Sequence, residues 1–303
     1  MSIHKKKYIG LVGLGRMGLA IAHRLIQANF TVLGFDQDKQ AREKLELLGG
    51  APVDAITEIP NKCDIMWLMV PAGKVIDSVI AQIKSNVKES SIIIDGGNSH
   101  FQDTIRRSQE LAKDNIFLLD CGTSGGLRGS DIGFSLMIGG DHNSYKKAEP
   151  IFKAIAAPNG YAYLGPSGAG HYVKTVHNGV EYVILQSYAD GFNLLKHGQY
   201  KDLDLHKISK VWNNGSVIRS WICELLEEIF AQDQSFTDIS GFIDENLTGQ
   251  WTIEEANKQN ISMKLLEISL EIRAQSRQTG GDYATKIVAL LRNKFGGHEV
   301  KKT

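Results

Sequence analysis

Short, almost wholly apolar runs alternate with amphipathic stretches through the first half of the chain. Residues 7–12, 31–35, 65–70, 92–95, 116–121, 134–138 and 161–164 are apolar at nearly every position. That is the pattern of strands covered on both faces. Between them, residues 17–28, 39–48, 74–83, 104–113 and 144–155 repeat apolar side chains at helical spacing. The alternation predicts an α/β Rossmann-like N-terminal domain with a mostly parallel sheet and right-handed crossovers. Past Leu164 the strand pattern stops. Residues 167–196, 203–213, 218–231, 253–257, 262–276 and 282–293 read as helices, with Gly198 placed as a stop. The boundary falls near Gly165-Pro166, giving a dinucleotide-binding domain over 1–164 and an all-helical, substrate-binding and dimerisation domain over 165–303.

Composition narrows the class. With 34 basic and 34 acidic side chains and 42% apolar residues, the chain has material for real cores. It lacks the basic excess of a nucleic-acid or membrane-surface binder, and Lys5-Lys6-Lys7 is too short to supply one. No run approaches the roughly 18–20 apolar residues of a membrane span, and the N-terminus has no signal-peptide core. Cys63, Cys121 and Cys223 are odd in number and far apart. They suit neither a disulfide framework nor a zinc site, and a reducing cytoplasm is the expected location. The 31 glycines against 6 prolines are the unusual feature, and their positions carry the chemistry.

Gly13-Leu14-Gly15-Arg16-Met17-Gly18 follows the first predicted strand and opens the first helix. The first glycine allows a tight turn, the second lets a pyrophosphate approach the backbone, and the third permits close helix–sheet packing. Asp36 ends the second strand 18 residues past Gly18. It is placed to accept hydrogen bonds from a ribose 2′-hydroxyl, and its charge repels a 2′-phosphate. No arginine follows it directly, so NAD is expected and NADP disfavoured. The plainer alternative is that Asp36 merely caps the next helix.

The most informative stretch runs from Gly168 to Tyr182. At about 100° per residue, Lys174, His177, Asn178 and Glu181 fall within an arc of about 100°. A base, two hydrogen-bonding groups and an acid thus share one helix face. A solvated surface would explain Lys174 and Glu181. It would not explain Gly179 in mid-helix, which costs about 1 kcal/mol against alanine and suggests close approach of a backbone or ligand. Two more glycine loops, Asp95-Gly96-Gly97-Asn98-Ser99 and Thr123-Ser124-Gly125-Gly126, follow predicted strands, where parallel α/β sheets bind ligands. Bare loops of this kind are also ordinary turns.

These stretches, with Val70-Pro71-Ala72-Gly73, Thr248-Gly249-Gln250-Trp251-Thr252 and Phe295-Gly296-Gly297-His298, resemble the decarboxylating 6-phosphogluconate dehydrogenases, within the β-hydroxyacid dehydrogenases. The likeness spans nearly the whole chain, and it is to the short, NAD-preferring form. Its specific part is Lys-x-x-His-Asn-Gly-x-Glu-Tyr, which simpler β-hydroxyacid dehydrogenases lack.

The resemblance implies oxidative decarboxylation of 6-phospho-D-gluconate to D-ribulose 5-phosphate and carbon dioxide, with no metal. Lys174, its pKa lowered by burial and the nicotinamide charge, would take the 3-hydroxyl proton, and Glu181 would protonate C1. Asn98, Ser124, Gly125, Gly126, His177 and Asn178 would hold hydroxyls and carboxylate; Tyr182, Thr248 and Arg273 would hold phosphate. Gly13 to Gly18, Asp36, Val70, Pro71, Ala72 and Asn98 would line the cofactor. Asn246 stands where the family often has a lysine, so Arg277 or Arg292 is expected to compensate. Arg273 and Arg277 could also be no more than a charged helix face. Arg292 and His298 would reach the partner subunit's site, implying a homodimer or homotetramer. The alternatives are a non-decarboxylating β-hydroxyacid dehydrogenase acting on a small 3-hydroxy acid, and a silent NAD sensor.

Overall fold

The computed structural model describes residues 7–245 and 247–303. Through Gly165 the elements are β1 (Lys7–Val12), α1 (Arg16–Gln27), β2 (Phe30–Phe35), α2 (Lys39–Leu47), β3 (Ala51–Pro52), α3 (Ile59–Lys62), β4 (Ile65–Leu68), α4 (Lys74–Lys84), β5 (Ile92–Asp95), α5 (Phe101–Ala112), β6 (Phe117–Ser124), α6 (Gly129–Ile132), β7 (Phe134–Gly140), α7 (His142–Ile155) and β8 (Ala156–Gly165). Helices alone follow: α8 (Ala169–His197), α9 (Leu205–Asn213), α10 (Trp221–Gln232), α11 (Leu247–Lys258), α12 (Lys264–Thr279) and α13 (Tyr283–Gly296). The chain divides into two compact units, one through Thr175 and one over Val176–Thr303, so the division falls inside α8.

In the first unit one sheet has the order β3-β2-β1-β4-β5-β6-β7-β8. The chain winds outward from β1 to β3, then returns to place β4 on the other side of β1. A crevice therefore opens at the carboxyl ends of β1 and β4, where the order reverses. All neighbours are parallel except β6 and β7, which run antiparallel. The few residues between Ser124 and Phe134 are too short for a parallel crossover, which needs about a dozen. β3 escaped the hydrophobic pattern: two residues, one of them proline, leave no periodicity to read.

Apolar cores cover both sheet faces. Leu11, Leu25, Trp67, Ile94 and Phe152 are buried on one side, and Met66, Leu68, Ile80, Ile93 and Leu118 on the other. That double burial is why the strands read as unbroken apolar runs. In the second unit Leu185, Phe192, Leu226, Phe230, Ile287 and Leu291 form the main helical core. The three cysteines are buried free thiols, and burial pushes Cys63 up to about 12. No helix among the described residues is long and apolar enough to cross a membrane.

Candidate functional site

At the carboxyl ends of β1, β2 and β4 lies a cleft of about 370 Å³, lined among others by Gly13, Gly15, Asp36, Gln37, Val70 and Pro71. The three glycines of the first loop do three separate jobs. Gly13 has φ +91° and faces the Met69 carbonyl, while a Cβ on Gly18 would collide with the Gly13 carbonyl oxygen. A Cβ on Gly15 meets nothing within 4 Å. Gly15 is thus the bare floor of a cradle at the N-terminus of α1, the position a pyrophosphate requires. Leu14 is buried and donates its N–H to Asp36 Oδ2 at 2.7 Å. Arg16 is exposed and Met17 packs against the core. The residues fit a dinucleotide.

The loops after β4, β5 and β6 share this sheet edge, because β1, β4, β5 and β6 are mutually parallel. They carry Val70-Pro71-Ala72, the exposed Asn98, and Ser124-Gly125-Gly126. Ser124 is the last residue of β6 rather than a loop residue. Arg107, not foreseen from the sequence, braces two of these loops from beneath. Only 2% exposed, it donates from Nε to Asp77 at 2.7 Å and from Nη2 to the Gly73 carbonyl at 3.3 Å, and its Nη1 lies 4.0 Å from buried Asp95. The Arg107 guanidinium holds the Asp77 carboxyl below its ordinary range.

Lys174, 7% exposed, stands on α8. The start of that helix is docked on the sheet by Asp120, which the pattern placed in a strand without a role. Fully buried, Asp120 accepts the N–H of Gly168 at 2.8 Å and of His171 at 2.9 Å. It is a helix cap supplied from a distant strand, and the helix dipole favours its charge. His171 in turn pairs with the Thr104 hydroxyl at 2.8 Å. A Cβ on Gly122 would collide with the Lys174 side chain, so β6 is bare where the lysine stem crosses it. The available signal was a carboxylate in an apolar strand, which must find partners.

His177, Asn178 and Glu181 continue α8 into the second unit. Two turns of unbroken helix separate Lys174 from Glu181. His177 Nδ1 and Asn178 Oδ1 are 3.2 Å apart. The mid-helix Gly179 answers neither a backbone nor a ligand. A Cβ there would lie 2.9 Å from Leu266 and from Thr252, so the glycine lets α11 and α12 pack closely on α8.

The second unit holds a cleft of about 250 Å³ between α8, α12 and the segment before α11. Arg273 is 3% exposed, its guanidinium carbon 3.5 Å from the Tyr182 ring centroid, and its buried Nη2 has no hydrogen-bond partner. Tyr182 and Thr248 bring their hydroxyls within 3.4 Å of each other. The close fit depends on Gly249, where a Cβ would press on the Tyr182 ring at 2.7 Å. Arg292, 6% exposed, donates Nη1 to the Asp244 carbonyl at 3.1 Å. Burial lowers Arg273 to about 10, with the charge of Arg292 adding to the fall, and burial lowers Arg292 too. Arg277 reaches the rim, 3.5 Å from Glu245. Among the described residues neither Arg273 nor Arg292 forms an ion pair; the charge of Glu181 reaches both, and Asp244, Glu245 and Glu271 also line the cleft. Buried cations without a direct partner are costly unless an anion enters. Asn246 lies outside the described residues. His298 is exposed, and its carbonyl accepts from Asn293 at 2.8 Å. Beyond it Lys301 and Lys302 pair with Ser240 and Ile239 of the same chain.

Residues 8–165 match the family model described as the NAD binding domain of 6-phosphogluconate dehydrogenase, and residues 170–301 match its C-terminal domain. The chain is 40% identical to an NAD(+)-dependent, decarboxylating 6-phosphogluconate dehydrogenase of Haloferax volcanii, over 97% of this chain and 98% of that one. It is 36% identical to the Bacillus subtilis enzyme of the same name, covering 88% of itself and 60% of that protein. Among solved structures, Plasmodium falciparum 6-phosphogluconate dehydrogenase, determined apo and with NADP+ or 6-phosphogluconate, superposes with a TM-score of 0.81 at 27% identity, over 89% of this chain and 62% of that chain. A Mycobacterium tuberculosis 3-hydroxyisobutyrate dehydrogenase gives 0.75 at 20% identity, over 95% and 100%, and shares the fold.

Proposed function

We propose, from the premise that this chain belongs to the 6-phosphogluconate dehydrogenase family, that it oxidises and decarboxylates 6-phospho-D-gluconate to D-ribulose 5-phosphate and carbon dioxide, with NAD as cofactor. One observation carries the choice of substrate: Arg273 is buried and forms no ion pair among the described residues, with Nη2 unsatisfied and Arg292 bearing on it, although the charge of Glu181 also reaches it. A guanidinium fork and two hydroxyls suit a phosphate dianion. A small 3-hydroxy acid has only its one carboxylate, which this reading places beside Lys174, and no second anion for the arginines, which disfavours the non-decarboxylating alternative.

The cofactor, when bound, accepts the hydride from C3. The buried Lys174 takes the proton of the 3-hydroxyl. The β-keto acid then breaks its C1–C2 bond, and carbon dioxide leaves with the electron pair passing toward the 3-carbonyl. Lys174, now an ammonium, returns its proton to that oxygen. Glu181 delivers a proton to the carbon that becomes C1 of the product, while the enediol hydroxyl gives its proton back to Lys174, restoring the ketone carbonyl. His177, Asn178, Asn98 and the Ser124-Gly125-Gly126 turn orient hydroxyls and carboxylate. Asp36, facing the first cleft, is assigned to the ribose 2′-hydroxyl and so to NAD over NADP. Arg292 serves the phosphate pocket of its own chain in place of the family's lysine. The exposed His298 is the group offered to a second copy in a homodimer or tetramer.

Incubating the enzyme with 6-phosphogluconate and either NAD or NADP, while trapping carbon dioxide, tests the reading. Equimolar NADH and carbon dioxide, with NAD preferred, is expected. NADH without carbon dioxide would establish the simpler dehydrogenase instead.

A further inference from the structure

We infer that Arg42 is a second determinant of cofactor choice, a cation held at the ribose edge of the dinucleotide cleft and masked there by Asp36. The inference rests on the reading of Asp36 as the ribose-binding residue. Arg42 lies near the start of α2, and its Nη1 donates to the carbonyls of Asp36 at 2.6 Å and Gln37 at 3.4 Å. Those two residues line the cleft. Arg42 forms no ion pair among the described residues, and both its contacts use one nitrogen of a five-donor fork. Its charge is therefore positioned by carbonyls and left for another anion.

Asp36 is fixed differently. Oδ2 accepts the N–H of Leu14 at 2.7 Å and Oδ1 that of Asp38 at 2.9 Å. With both oxygens bound to backbone, the carboxylate cannot swing away from an entering 2′-phosphate. It supplies the repulsion, and it offsets the field of Arg42 at short range. Removing that one charge leaves a guanidinium beside the ribose edge, a group suited to a nucleotide 2′-phosphate. Acceptance of NADP should then need one substitution and no added arginine.

Isothermal titration of NAD, NADP and adenosine 2′,5′-bisphosphate into the full-length protein tests this, with thermal melts confirming that each variant folds. Asp36→Ser is expected to move the NADP-to-NAD affinity ratio toward NADP by about tenfold or more, and less at high salt. Adding Arg42→Ala should reverse that gain, while Arg42→Lys, which keeps the charge and loses the fork, should keep part of it. If Asp36→Ser and Asp36→Ser/Arg42→Ala share one ratio, or if the double variant loses both dinucleotides equally, the inference is overturned. A wild type that already binds NADP as tightly as NAD would instead overturn the assignment of Asp36, and the inference with it.

Discussion

The two clefts of this protein prepare for anions in opposite ways. The cleft of the first unit is made of backbone: a bare glycine at the start of α1, with positive φ and tight packing assigned to the glycines on either side. Among the described residues lining it there is no cation, and the one charged side chain of the lining, Asp36, is negative. The cleft of the second unit is made of side chains. Arg273, Tyr182 and Arg277 line it with Asp244, Glu245 and Glu271, while the buried Arg292 bears on Arg273 and Thr248 meets the Tyr182 hydroxyl. A backbone cradle needs little desolvation and stays stable when empty. A buried guanidinium pair is destabilising until its ligand arrives. The first design suits a cofactor common to many enzymes, and the second, on the proposed function, serves to select a phosphate dianion.

The comparison breaks most severely at the proposed base. Lys174→Met should lower NADH formation by about 10³-fold or more. NAD affinity should survive, because the lysine lies outside the glycine cradle. A stopped-flow assay with separate NAD titration checks both, and substantial turnover would remove Lys174 from the base role.

The glycines give a sharper contrast. Gly18→Ala drives a methyl group into the Gly13 carbonyl and should destabilise the first unit by about 1–3 kcal/mol or more. Gly15→Ala meets no protein atom, so it should fold normally and lose NAD affinity by roughly tenfold, about 1.4 kcal/mol. Parallel melts and titrations separate the two. Equal melting temperatures would refute the division of labour.

Asp120→Asn tests the anchor of α8. Losing the charge that holds two buried amides should cost about 1–3 kcal/mol. The catalytic rate should fall more than NAD affinity, since the helix carries Lys174. A melt unchanged from wild type would show that the cap is dispensable.

How much was legible follows the same line. The glycine fingerprint, Asp36 and the run from Lys174 to Tyr182 are local signals, and each sits where its spacing predicts. The brace of Arg107 on Gly73 and Asp77, and the cap of Asp120 on α8, join residues about 30 to 50 positions apart, which no periodicity records. β3 was too short to show a pattern. α11 begins at Leu247 rather than near 253, because Thr248-Gly249 reads as a turn; here the glycine instead makes room for the Tyr182 ring. Gly179 was read correctly as a point of close approach, with the wrong neighbour named.

The effect expected on stability is smaller and opposite in sign to the others. Burial places Arg273 at about 10 in the folded state, below the ordinary guanidinium range. The penalty is therefore in force at neutral pH and lifts only as pH rises through about 10. Arg273→Met should raise the melting temperature of the empty protein by a few degrees, roughly 2–4 °C per kcal/mol regained. Inorganic phosphate should stabilise the wild type and not the variant.

The most direct measurement is calorimetric binding of 6-phosphogluconate and of gluconate to the wild type and to Arg273→Met. If the second cleft reads phosphate by buried charge, the wild type should favour the phosphorylated acid by about 100-fold or more, some 2.7 kcal/mol, and the variant should lose most of that preference. Equal affinity of the wild type for both acids, or a preference that persists without Arg273, would contradict the account.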